Sequence, residues 1–88
     1  RHIKALEGDV DVTFGSKFDL ILANINKNVL KAHIPHYAEL SETGTLLFLS
    51  GFFASDVDEL KLAAEQVGFS LLEVREKETW AAMKLIKN

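Results

Sequence analysis

The run FDLILANI begins at Phe18 and ends at Ile25, and four of its residues, Leu20, Ile21, Leu22 and Ala23, are consecutive and apolar. An alternating strand would bury one face and wet the other. A continuous apolar run of this length, bounded by polar residues, fits a parallel strand covered on both faces. Parallel neighbours need crossover connections, so the run commits the chain to helices between its strands. It also ends on Asn24, an amide that must find hydrogen-bond partners if buried.

The flanking segments supply those helices and further strands. Residues 2–6 (HIKAL) form a short candidate strand, closed by Gly8 and Asp9. Residues 26–40 read as a helix, with Leu30, Ile34, Tyr37 and Leu40 on one face. Pro35 is expected to kink or break it, because proline removes a backbone donor and clashes with the preceding turn. After the turn at Thr43 and Gly44, residues 45–50 (TLLFLS) form a second buried strand, closed by Gly51.

Residues 55–67 form the next helix, with Ser55 as cap, Asp58 completing a variant capping box, and Val57, Leu60, Ala64 and Val67 as its apolar face. Gly68 stands where a left-handed C-terminal residue belongs. Residues 69–75 alternate weakly and suit a sheet edge. Residues 76–79 form a turn, and residues 80–87 a last strand with apolar residues on both faces up to Leu85. The last two strands make an antiparallel hairpin. The expected fold is α/β: part of a doubly wound sheet with a C-terminal antiparallel hairpin, filling one small domain of 88 residues.

Composition narrows the function classes. The formal charge of −3, with lysines and arginines scattered, argues against direct nucleic-acid binding. No apolar run nears the roughly 18 residues that span a membrane. The absence of cysteine removes thiol catalysis and cysteine-type zinc sites, and fits a cytoplasmic protein. The first residue is Arg1 rather than Met, consistent with a fragment. His33 and His36 flank Pro35 in mid-helix, away from the strand ends, and read as surface residues rather than metal ligands.

In an open α/β sheet, ligands bind beyond the carboxyl ends of the strands. Asn24, the Ser50-Gly51 pair and, if residues 2–6 are a strand, Asp9 all fall at such ends. Two readings of Asn24 stand: a ligand-holding amide with one acceptor and two donors, or, together with Asn26, a helix cap. Phe52 and Phe53 either line a substrate channel or pack against the next helix. Trp80, opening a strand, reads as core.

Three segments, FDLILANI, GTLLFLSGFF and GFSLLEVREKETWAAMKL, together resemble the C-terminal half of a class I S-adenosylmethionine-dependent methyltransferase, and more narrowly the PrmA family. The matching motifs are Ala23-Asn24-Ile25, Ser50-Gly51-Phe52, and Gly68-Phe69 through Glu78-Thr79-Trp80, where Thr79 separates the Glu from the Trp. The resemblance implies a Rossmann-like methyltransferase sheet and a cytoplasmic enzyme that methylates lysine or α-amino groups of a large-subunit ribosomal protein. It implies that Asn24 serves catalysis and donor binding, that Asp9 lies beside the donor's adenine, and that Ser50, Gly51 and Phe52 meet substrate.

The chain has NINK where glutamine and adenine methyltransferases carry a proline-rich motif. It also has no GxGxG, its five glycines being isolated. By the resemblance it is one wall of the site, inactive alone, with the 18–25 strand left as an open edge for a second copy or for residues 2–6. The rival readings are a non-catalytic α/β interaction module, in which Asn24 only caps, and a class I methyltransferase with another substrate.

Overall fold

The computed structural model describes residues 3–6, 18–24 and 26–88. Five strands form one sheet in the order β1-β2-β3-β5-β4. They are β1 (Ile3–Leu6), β2 (Phe18–Asn24), β3 (Ser41–Phe53), β4 (Phe69–Lys77) and β5 (Trp80–Lys87). β1, β2 and β3 run parallel, and β5 and β4 return antiparallel. This is the expected partial doubly wound sheet with its final hairpin.

The edge of β2 is not open. β1 pairs along it, Ile3 with Leu20 through Leu6 with Ala23. The homo-oligomer expected through an exposed 18–25 edge therefore loses its premise, and residues 3–6 take the place the second reading gave to residues 2–6.

The helices α1 (Lys27–Glu39) and α2 (Val57–Gln66) pack on each other and on the same face of the sheet. Leu30, Ile34 and Tyr37 of α1 and Leu60 and Ala64 of α2 meet Ile21, Leu47, Leu49, Met83 and Leu85 in one buried cluster. Register explains the selection. Ile21 pairs with Leu47, which pairs with Leu85, and paired residues share a face. The other parity, Leu20, Leu22, Leu46, Phe48 and Ile86, lies on the opposite face, where Leu22 is 39% exposed. The expectation that β2 is covered on both faces thus holds for one face among the described residues. The opposite face turns charged toward the hairpin, where Lys84 pairs with Phe48 and Glu73 and sets its Nζ 5.7 Å from the centre of the Phe48 ring.

Several element boundaries differ from expectation for local reasons. Asn26 caps α1, its Oδ1 accepting from the Val29 N–H at 3.1 Å. The helix runs through Pro35 unbroken. Pro35 and Lys31, whose carbonyl loses its donor, are both exposed, so water can replace the missing bond. β3 begins early because the Ser41 hydroxyl donates to the Tyr37 carbonyl at 2.6 Å and Thr45 Oγ1 accepts from the Glu42 N–H at 3.0 Å.

Before α2 comes a 3-10 turn, Ala54–Asp56. There the Asp56 carboxylate accepts from the Phe53 N–H at 3.1 Å. The cap expected from Ser55 and Asp58 is replaced by this bond. Gly68 takes φ +94 at the end of α2, as expected. The final turn shrinks to Glu78 and Thr79, with Lys77 paired to Trp80. A bulge at Leu72 shifts the phase of β4, so Phe69, Leu71 and then Val74 meet the core while Leu72 is 52% exposed.

Candidate active site

β2 and β3 end side by side, with Asn24 paired to Ser50. Both continue the parity of Leu22 and Phe48, so both stand on the face the helices leave open. Asn24 is exposed and Ser50 half-buried. The two asparagines, weighed together from sequence, separate here. Asn26 is the cap, and Asn24 is not: among the described residues nothing holds its amide.

Beyond Ser50 the strand changes phase. Leu49 pairs with Met83, but Phe52 pairs with Ala81 and Phe53 with Trp80, which leaves one residue more on β3 than on β5. Gly51 supplies the turn of this bulge at φ +89, a backbone region that L side chains rarely occupy. The shift turns Phe52 into the core at 1% exposure and puts Phe53 outside at 48%. Phe52, expected to meet substrate, thus keeps its ring out of this edge. Of the two phenylalanines, Phe52 packs in the core and Phe53 is the one exposed at this edge.

Trp80 is the residue that sequence reasoning misplaced. It is 51% exposed, not core. Ala81, Met83 and Leu85 take the helix-covered parity of β5, which leaves Trp80, Ala82, Lys84 and Ile86 on the open one. Counting that alternation in WAAMKLI would have found it. The indole stacks on the Phe53 ring, centroids 4.7 Å apart and planes 21° from parallel.

Two clefts meet at these residues. One of about 630 Å³ is bounded by Asn24, Ser50, Gly51, Arg75, Lys77 and Trp80. Another of about 430 Å³ is bounded by Asn26, Lys27, Gly51, Phe53, Asp56 and Trp80. Gly51 and Trp80 belong to both. Two of the lining cations are paired with carboxylates outside the clefts, Arg75 with Glu73 at 2.9 Å and Lys27 with Glu59 at 3.5 Å. Asp9, expected beside the donor's adenine, lies outside the described residues.

The displaced pKa values belong to the helical layer. Burial pushes the Tyr37 phenol up to about 12, and its hydroxyl has no hydrogen-bond partner among the described residues. The Lys31 ammonium, 2.8 Å away, together with Lys27, holds the exposed Glu59 carboxyl below its usual range. Neither group borders the two clefts. His33 and His36 sit ring to ring at 6.5 Å on α1, and among the described residues no three metal-ligating side chains cluster.

Parallel strands that end in clefts, closed by an antiparallel hairpin, are an arrangement shared with solved methyltransferase structures. A ribosomal protein L11 methylase from Lactobacillus delbrueckii subsp. bulgaricus superposes with a TM-score of 0.78 at 22% identity, over 84% of this chain and 38% of that one. A putative methyltransferase from Thermoplasma acidophilum superposes with a TM-score of 0.71 at 14% identity, over 88% and 41%.

Sequence then narrows the class. The family model described as "Ribosomal protein L11 methyltransferase (PrmA)" matches residues 2–88, and the chain belongs to that family. A ribosomal protein L11 methyltransferase of Phocaeicola vulgatus is 44% identical over 80 residues, covering 90% of this chain and 28% of the relative. One from Bacteroides fragilis is 34% identical over 85 residues, covering 96% and 30%. The chain thus spans less than a third of the length of these relatives.

Proposed function

We propose that the polypeptide carrying this chain transfers methyl groups from S-adenosylmethionine to amino groups of ribosomal protein L11, and that the chain forms the substrate wall of that site. The observation that carries this reading is Asn24: an exposed amide unheld by any described residue, at a strand's carboxyl end, opening into a cleft of about 630 Å³. That volume lies within the roughly 300–1,000 Å³ usual for small-ligand sites. The family membership supports donor and substrate class alike. A ribosomal-protein substrate would place the enzyme in the cytoplasm.

S-adenosylmethionine supplies a methyl group already activated by its sulfonium, so the protein's share is positioning. The side-chain carbonyl of Asn24 accepts an N–H from the substrate amine and turns the nitrogen lone pair toward the cleft. The amine must arrive neutral, having lost its proton to water, since a free lysine is mostly protonated near neutral pH. Ser50, on the same face and paired to Asn24, offers a hydroxyl to the same substrate group. Trp80 closes the other side of the cleft as an apolar wall along the methylene stem. Asp9 remains the proposed adenine neighbour, and Gly51 and the Phe52 backbone the proposed substrate contacts.

A proton–nitrogen titration of this chain with S-adenosylhomocysteine tests the reading. Shifts confined to Asp9, Asn24, Ser50, Gly51 and Trp80 are expected. The same titration on the polypeptide extended upstream to the length of its relatives, with no shift at those residues and no methyl transfer to L11, would sink it.

A further inference from the structure

Two half-exposed aromatic rings in face-to-face contact are a poor way to bury area, and each would be better hidden in the core. Here their exposure is built in by backbone. The bulge at Gly51 adds one residue to β3, and without it Phe53 would face Thr79 rather than Trp80. The backbone around the pair is fixed at three points. The Ala54 N–H donates to the Thr79 carbonyl at 2.8 Å, the Phe53 N–H to Asp56 at 3.1 Å, and Lys77 pairs with Trp80 across the final turn. Gly51 and Trp80 border both clefts, whereas Phe53 borders only the smaller, away from Asn24.

We infer that Phe53 is a positioning residue for Trp80. Its ring covers one face of the indole and sets the orientation in which the other meets the Asn24 cleft. An unstacked indole at a strand's first residue has free rotamers about χ1 and χ2. The stack at 4.7 Å, on a backbone fixed on both sides, selects one. Gly51 belongs to the same device, because its φ of +89 is what permits the phase shift. The catalytic meaning rests on the methyl-transfer reading above, but the positioning does not.

The chain holds one tryptophan, so its fluorescence reports Trp80 alone. Phe53→Ala is expected to lower the anisotropy of that emission and move it to the red. Phe53→Tyr, which keeps a ring face, should retain both values, and Phe53→Leu, which keeps apolar volume without a ring, should fall between. In the polypeptide extended to the length of its relatives, Phe53→Ala should raise KM for the protein substrate roughly 2- to 10-fold, the worth of an aromatic pair. kcat should change less, and Phe53→Tyr should restore KM.

Unchanged anisotropy and emission in Phe53→Ala, with native circular dichroism, would overturn the inference. If Phe53→Ala does not fold, Phe53→Leu against Phe53→Tyr decides it, and equal Trp80 signals in those two would overturn it as well. A normal Trp80 response beside absent methyl transfer would defeat only the functional reading.

Discussion

On the helix-covered face of the sheet, Ile21, Leu47, Met83 and Leu85 are at most 1% exposed and belong to one apolar cluster. On the opposite face of the same strands stand Leu22 at 39% and Trp80 at 51%, together with Asn24, Ser50, Lys84 and Arg75. Strand alternation puts the two sets one residue apart along the chain. The contrast teaches that stability and the candidate chemistry are divided by parity rather than by segment. Neighbouring substitutions should therefore have opposite consequences.

The largest effect on stability belongs to the covered face. Leu47→Ala removes a fully buried side chain from the middle strand and should cost about 2–5 kcal/mol. Leu22→Ala, on the open face, should cost less than about 1 kcal/mol. Urea unfolding of the two variants measures both, and equal losses would break the division by face. Next comes the point where the faces exchange residues. Gly51→Ala places a Cβ at φ +89 and should cost about 1–2 kcal/mol. If the strand relieves that strain by losing the bulge, Phe52 leaves the core and the Trp80 emission changes with it.

Within the helical layer the covered side predicts a pH dependence. The Tyr37 phenol, pushed up to about 12 by burial, ionises later in the folded chain than in the unfolded one, whose value lies near 10. Its contribution is therefore full below pH ~10 and lost as pH rises toward about 12. Because the hydroxyl has no partner among the described residues, Tyr37→Phe should leave neutral-pH stability unchanged or raised and should flatten that alkaline loss. A denaturation series across this range checks it, and an equally steep loss in the variant would place the titration elsewhere.

The elements were legible where one local rule decided them. Continuous apolar character marked β2, four-and-three spacing marked the buried side of α1, and Gly68 closed α2. Misreadings arose wherever a backbone irregularity re-phased a strand. Gly51 was read as the end of β3 because glycine signals a stop, yet it is a bulge within it. The weak alternation of residues 69–75 is interrupted by the bulge at Leu72. Trp80 was sent to the core on size, although its neighbours' alternation placed it outside. Asn24 could not be separated from Asn26 by spacing, since either stands before the helix, and only the 3.1 Å bond to Val29 distinguishes them.

That pair gives the smallest stability effect and the sharpest contrast. Asn26→Ala removes the cap of α1, leaves the Val29 N–H without its acceptor, and should cost about 1 kcal/mol. Asn24→Ala, two residues earlier, removes an exposed amide held by no described residue and should change stability by less than about 0.5 kcal/mol. Function should rank them the other way. In the polypeptide extended to its relatives' length, Asn24→Ala should abolish most methyl transfer, because the amine loses the acceptor that aims it. Asn26→Ala should retain transfer at temperatures where the fold persists. Thermal melts and single-turnover methylation of both variants test the ranking together. A variant at Asn24 that melts early and still methylates would make it a second cap, and would return the site to the residues around Trp80.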